Sequence, residues 1–324
     1  MKIRRKVITV IGPTASGKTS LAIELAKKFN GELINTDSRQ IYKYMDIGTA
    51  KGNIEKYDKL KIKIPKKYQL RKPIIKELNV YKLEGAIIHL INILTPDQIL
   101  TLAQYQKLAN AVIENIIERS KTPILVGGTG LYIDAITKGY RIPRVRPDRK
   151  LREKLEKMNI KKLAKILKKS NSNVYKRLNR SDKLNKRRLI RLIEVAKAGK
   201  KILKSKERPD LNVLYLTPKR SRDELYKRID KRAKVIVDLG LINEVKKLIN
   251  KGYNFTMPAM SAISYPIVKR YLKGEITKDE LIEKFAQGDK NYARRQITWF
   301  KRYDVVEIEN IKQAYKEVEK FIKK

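Results

Sequence analysis

The chain has 324 residues, enough for one large domain or two ordinary ones with a real core. Its 77 Lys and Arg outnumber 34 Asp and Glu, for a formal charge of +43, and 42% of its residues are hydrophobic, which marks a globular rather than a disordered chain. There is no cysteine and only one histidine, so disulfides, Cys-based zinc sites, thiol nucleophiles and His-rich metal centres are excluded.

The charge has two readings: a polyanionic partner, above all nucleic acid, or a genome rich in lysine codons. The apolar run near the start is shorter than a secretory signal requires, and nothing approaches the roughly 20 apolar residues of a membrane span. The expectation is a soluble, cytoplasmic protein with no membrane partner.

Residues 6–11 (KVITVI) are short, β-branched and bounded by glycine, as a buried strand should be. The eight residues that follow, Gly12, Pro13, Thr14, Ala15, Ser16, Gly17, Lys18 and Thr19, fit the phosphate-loop pattern G-x-x-x-x-G-K-[ST]. They lie between a strand and a helix, the context that pattern needs. Backbone N–H groups there cradle phosphate oxygens, Lys18 neutralises charge, and Thr19 is placed to ligate Mg²⁺. Residues 20–29 are helical, with Leu21, Leu25 and Phe29 on one face. Residues 31–36 (GELINT) form a second strand, and Asp37 follows at its carboxyl end, the edge where open α/β sheets bind ligands. An acid there is either a turn former or a group facing whatever the loop holds.

Residues 51–83 are Lys-rich, carry Pro65 and Pro73 and show no clean period. They read as a surface insertion, either RNA-contacting or merely solvated. Residues 101–119 form a long amphipathic helix, and residues 122–128 (TPILVGG) a third strand ended by its glycine pair. Alternating helices and all-apolar strands indicate a parallel, doubly wound α/β sheet. No strand ends in an acid of the kind that holds Mg²⁺ in ATPases, so the loop suits a diphosphate held without triphosphate hydrolysis.

Beyond Gly139 the composition changes. Residues 141–148 (RIPRVRPD) read as a linker, and residues 149–206 as helical and very basic. Residues 212–217 (NVLYLT) return to strand. Ser221 with Glu224 makes a capping box before a helix striped by Leu225, Ile229, Ala233 and Ile236. Thr277 with Glu280 makes another before a helix running through Trp299, and residues 304–309 (DVVEIE) make a last strand. The organisation expected is a core from 1–140, a helical insertion over 141–208, and a mainly helical second part of the core over 209–324.

The strings GPTASGKT, INTDSRQIY, MDIGTAK, ILVGGTGLY, NKRRLIRLIEV (185–195), RIDKRAKVIVDLGLINEVKKLI (228–249) and ARRQITWFKR (293–302) together resemble the tRNA dimethylallyltransferase (tRNA isopentenyltransferase) family. The likeness covers nearly the whole chain, in order. It implies a P-loop NTPase-like α/β core interrupted by an all-helical insertion domain. It also implies transfer of a dimethylallyl group from dimethylallyl diphosphate to N6 of the adenosine just 3′ of the anticodon, with Mg²⁺.

By the same resemblance Asp37 is the base and Thr129 a second polar contact at the reacting groups. Ser38, Arg39 and Gln40 match an RNA-contacting segment, as do Arg187, Arg188, Leu189, Ile190 and Arg191, with Arg152 a further tRNA contact. Arg228 and Arg232, spaced i, i+4, are either a diphosphate clamp or a solvated face. The expected partners are a tRNA anticodon stem-loop and dimethylallyl diphosphate, bound by a monomer. The chain departs from the family pattern at Ser264, Pro266 and Asn92, in the length of the 51–83 segment, and in lacking a zinc finger.

Other residues have plainer readings: His89 structural, Trp299 and Phe300 core aromatics, Met45 and Met260 packing. Two rival functions share the phosphate loop. One is a nucleoside or small-molecule kinase, which also uses an acid after the second strand. The other is a non-catalytic RNA-binding ATPase.

Overall fold

The structure, a computed structural model, describes residues 5–70, 73–140, 142, 143, 145, 147–200, 208 and 210–323. The chain divides into two compact units, Met1–Thr137 with Arg208–Lys324, and Lys138–Glu207. Arg141, Arg144 and Arg146 of the expected linker, residues 71–72 of the 51–83 segment and residues 201–207 of the basic stretch lie outside the described residues.

The first unit begins β1 (Arg5–Val10), α1 (Lys18–Lys28), β2 (Gly31–Asn35), β3 (Ile54–Lys63), β4 (Glu77–Leu83), β5 (Ala86–His89), α2 (Leu102–Glu118), β6 (Thr122–Val126) and α3 (Gly130–Thr137). The second unit holds α4 (Arg149–Glu156), α5 (Ile160–Ser170), α6 (Ser172–Lys176), α7 (Arg180–Lys183) and α8 (Lys186–Lys197). The first then resumes with β7 (Leu211–Pro218), α9 (Arg222–Asp238), α10 (Leu241–Asn250), α11 (Ser264–Leu272), α12 (Lys278–Phe300), β8 (Val305–Ile308) and α13 (Ile311–Lys323).

The eight strands form one sheet in the order β3-β4-β5-β2-β6-β1-β7-β8. From β5 to β8 every neighbour is parallel. Alternate residues supply opposite faces: Val7, Ile34 and Leu125 join the core under α2 and α9 to α12, while Ile8, Leu33 and Ile124 join the core with α1 and α13. Burial on both faces is why these strands read as unbroken apolar runs.

Two expectations need correction. The sheet is mixed, because β3 and β4 run antiparallel to their neighbours. The 51–83 segment is therefore no excursion; it extends the sheet and adds Ile62, Ile64, Leu78 and Val80 to the core. A register shift between Lys56 and Lys61 breaks the period-2 pattern that would have revealed β3. Glu84 and Gly85, both at positive φ, close a two-residue hairpin from β4 to β5, as mirror-image turns do. Lys51, at the segment's start, is buried and donates to Asp46, Asn92 and the Tyr42 carbonyl.

Capping follows the sequence in part. Thr277 and Glu280 form a complete capping box. At α9 the Ser221 hydroxyl accepts from the Glu224 N–H, but the Glu224 carboxylate lies 3.4 Å from Arg220, so only the serine half forms. His89 is structural: its Nε2 lies 2.6 Å from buried Glu32, which also accepts from Arg119. Phe300, Met45 and Met260 are buried, and Trp299 packs against the Phe300 cluster.

The MDIGTAK turn is held by one buried carboxylate. Glu244 of α10 accepts from the N–H groups of Asp46, Ile47 and Gly48 at 2.7, 2.7 and 2.9 Å and from the Tyr265 hydroxyl at 2.8 Å. Ser264, one of the family departures, is buried with its hydroxyl 3.4 Å from the Gly48 carbonyl. Replacing Glu244 with Ala strands three amides and a hydroxyl. Urea denaturation should show a loss of about 3 kcal/mol, at the upper end for removal of a hydrogen-bonded buried charge.

Candidate functional site

β1, β2 and β6 end at the same sheet edge, and the loops that leave them make the site. After β1, Ala15 and Gly17 take left-handed conformations (φ 62° and 91°) on either side of Ser16. That curl gathers successive N–H groups into a concave anion nest, and α1 starts behind it with no side-chain cap. Ser16 Oγ is buried there without a hydrogen-bond partner among the described residues.

Basic groups surround the nest. Lys18 Nζ donates to the Pro13 carbonyl at 3.2 Å. Arg228 Nε donates to the Ala15 carbonyl at 2.8 Å, and Arg232 Nη1 donates to Thr14 Oγ1 at 3.0 Å. The i, i+4 arginines of α9 therefore meet the phosphate loop. Burial pulls the Lys18 amine down to about 8 from 10.5, with Asp37 and Asp289 opposing the shift and Arg232 adding to it.

At the end of β2, Asn35 accepts from the Asp37 N–H (2.9 Å) and donates to the carbonyls of Asp37 (3.1 Å) and Leu90 (3.0 Å). Asp37 Oδ1 accepts from the Arg39 N–H at 2.8 Å, the turn-forming role; Oδ2 has no hydrogen bond among the described residues. Thr129, after β6, accepts from the Ser38 N–H at 3.1 Å and donates to Ser38 Oγ at 3.3 Å. Arg39 reaches the Pro258 carbonyl (2.7 Å) and Ser261 Oγ (3.1 Å), and Gln40 donates to the carbonyls of Thr49 and Ala50. One oxygen of Asp37 thus fixes the turn while the other stays open, beside an anion cradle.

α12 supplies residues that sequence reasoning missed. Gln296 accepts from the Thr14 N–H at 2.8 Å and donates to the Gly128 carbonyl at 2.9 Å, which joins the phosphate loop to the loop after β6. Gly128 is required by this approach, since a Cβ there would sit 2.1 Å from Gln296 Nε2. Tyr292 lies 3.4 Å from the same carbonyl. Asp289 is buried and accepts from Arg232 at 2.5 Å; burial raises its carboxyl above the usual range, against the pull of Arg232. The signal was available: Phe285, Asp289, Ala293, Gln296 and Phe300 form one buried stripe, so an acid and an amide occupy core positions.

The helical unit has its own core of Leu155, Leu163, Leu167, Leu189, Ile190 and Ile193. Leu189 and Ile190 are corrections: both are buried, because they lie on the apolar face of α8, and neither side chain is available to a partner. Arg152 grips Glu194 through two 2.7 Å bonds, and Arg191 adds a third at 3.1 Å. Burial would raise the Glu194 carboxyl, but these arginines hold it below its ordinary range. Arg191 also donates to the carbonyls of Pro143 and Val145, and Arg188 pairs with Asp182 at 2.5 Å. Arg187 is exposed, with no ion pair among the described residues.

A family model described as IPP transferase matches residues 76–303. The tRNA dimethylallyltransferase of Thermoanaerobacter sp. (strain X514) is 36% identical over 315 residues, covering 93% of this chain and 90% of its own. That of Halothermothrix orenii (strain H 168) is 37% identical over 329 residues, covering 98% and 92%. Among solved structures, the tRNA isopentenylpyrophosphate transferase of Bacillus halodurans is similar with a TM-score of 0.66 at 32% identity, over 98% of this chain and 96% of that one. A eukaryotic dimethylallyltransferase acting on tRNA gives 0.70 at 25% identity, over 91% and 70%. The family model spans more than half of the chain and the two relatives align over more than nine-tenths of it, and the chain belongs to the tRNA dimethylallyltransferase family.

Proposed function

We propose that the protein transfers a dimethylallyl group from dimethylallyl diphosphate to N6 of the adenosine just 3′ of the anticodon in tRNA. The observation that carries this reading is the meeting, at one sheet edge, of an anion cradle and a carboxylate with one open oxygen. The charge of +43 suits a polyanionic acceptor.

The donor's allylic C–O bond breaks and its electron pair leaves with the diphosphate. Lys18, Arg228, Arg232 and the loop N–H groups hold the charge that develops. The N6 lone pair forms the new C–N bond, and the amine becomes acidic only as it does so. Asp37 accepts the proton, while Thr129 and Ser38 fix the turn that presents it. The acceptor base leaves its stack to reach this carboxylate, with Ser38, Arg39 and Gln40 beside it. In the helical unit Arg187 and Arg188 contact RNA phosphates, and the Glu194 clamp on Arg152 and Arg191 shapes the surface on which they stand.

The site fits a Mg²⁺ ion held mainly by substrate. Among the described residues no three acidic or histidine groups cluster as a metal site, while Thr19 and the partnerless Ser16 hydroxyl are hard oxygen donors at the nest. When bound, the ion would neutralise leaving-group charge.

Incubating an anticodon stem-loop with dimethylallyl diphosphate and Mg²⁺ should add one dimethylallyl group to an adenosine, read by mass spectrometry. No adduct, with ATP-dependent phosphorylation of a nucleoside instead, would favour the kinase. Asp37→Asn keeps an acceptor for the Arg39 N–H but removes the base. Single-turnover rates should fall at least about 100-fold, with RNA affinity within a few-fold of wild type. Lys18 gives a pH signature. Its free amine titrates at about 8, so donor affinity is full below that value and declines as pH rises beyond it, by up to about tenfold per unit. Calorimetry from pH 7 to 9.5 should show this decline together with proton uptake on binding, and Lys18→Met should remove both.

A further inference from the structure

Tyr44 sits in a costly backbone conformation for little packing return. Its φ is 67°, a left-handed region that disfavours bulky residues, yet its side chain is 45% exposed. Its ring lies 6.3 Å from that of Tyr253, centroid to centroid, at 24°. The buried pair Tyr105 and Tyr132 is far closer, at 3.7 Å and 20°. At 6.3 Å the Tyr44 pair is not in face contact, and the gap falls short of the ~7 Å that a ring inserted between them would need, so a base would stack on the exposed Tyr44 ring instead.

The side of Tyr44 that faces α10 is basic, while Asp97 lies within electrostatic reach of Tyr253. Lys251 Nζ is 5.2 Å from the Tyr44 ring centre. Tyr44, Asn243, Lys247 and Lys251 line a cavity of about 420 Å³, the last three at four-residue intervals along α10 and its end. Neither lysine has an acidic partner among the described residues, and Asn243 makes no side-chain hydrogen bond there. The two acids at the cavity are engaged elsewhere: Glu244 by three backbone amides and Tyr265, Asp46 by Lys51.

We propose that Tyr44, Tyr253, Lys247 and Lys251 form a second nucleotide site, which takes an unpaired base of the RNA substrate upon the exposed Tyr44 ring and its phosphate on the amines. This rests on the reading that the substrate is RNA. Stacking on tyrosine tolerates any base, and ammonium groups track the backbone, so the site strengthens binding rather than reading sequence. Asn243, with a donor and an acceptor, is the one group placed to favour particular base edges. Tyr44 follows Asp37 by seven residues, at most about 25 Å of chain, so a nucleotide of the same RNA loop is within reach.

The test separates binding from folding. Glycine adopts positive φ freely, so Tyr44→Gly should leave the melting temperature unchanged or raised. It should also weaken binding of a full-length tRNA transcript, by fluorescence anisotropy at fixed salt, about tenfold. Tyr44→Phe should bind within twofold of wild type, and the donor KM should not change in either variant. RNA affinity within twofold for Tyr44→Gly, or a loss matched by lowered melting temperature, would overturn the proposal. Wild-type turnover is read separately, so a protein that binds tRNA through Tyr44 yet transfers no dimethylallyl group would count against the transferase reading alone.

Discussion

Three parallel strands, β1, β2 and β6, end side by side, and the polar groups their loops expose at that edge must find partners without water. Gln296 meets much of this demand: one amide side chain satisfies the Thr14 N–H and the Gly128 carbonyl, groups from two different loops. Asn35 and Thr129 do the same between the Asp37 turn and its neighbours. Removing either partner from such a bridge leaves a buried group unsatisfied, so the loops are fixed together rather than separately. Among the described residues five buried side-chain groups have no partner, Thr9, Ser16, Thr36, His89 Nδ1 and Trp299 Nε1, and of these the Ser16 hydroxyl lies in the nest itself.

Much of this was legible in the sequence because the signals are local. A phosphate loop declares itself through Gly17 and Lys18, and all-apolar strands declare a sheet covered on both faces. The i, i+4 spacing of Arg228 and Arg232 left a choice between clamp and solvated face, and α9 brings both to the loop. What escaped depends on tertiary placement. β3 shows little alternation because most of its residues are exposed lysines and acids and a register shift interrupts it. Asp289 and Gln296 look like surface residues until the buried stripe of α12 is traced through them. Leu189 and Ile190 lay inside a basic string whose composition hid an apolar face.

Charge in the helical unit is less free than a count of arginines implies. Glu194 draws in Arg152 and Arg191 and accepts a backbone N–H from Asp148, so two guanidinium groups serve to shape the unit. A buried carboxylate with three such donors is stable only while all of them are present. The Arg152–Glu194 pair ties α4 to α8, the helix that carries Arg187 and Arg188. The excess charge itself acts at longer range, drawing a polyanion in before any particular contact forms.

The cradle contains three cations, Lys18, Arg228 and Arg232, and two acids, the half-buried Asp37 and the buried Asp289, lie in the field that Lys18 feels. Such a balance suits a leaving group better than a tightly kept cofactor. An arriving diphosphate finds Arg232 already bonded to Asp289, Arg228 to the Ala15 carbonyl and Lys18 to the Pro13 carbonyl, so each cation gives up or shares an existing interaction on binding. Those costs fall on the bound ground state. On the proposed reading, charge that accumulates on the diphosphate as its C–O bond breaks would be met by groups already in place, and the attraction would grow along the reaction coordinate. On the proposed reading the phosphate loop would act as a holder for a departing diphosphate, and the open oxygen of Asp37 would take the one proton the reaction must remove.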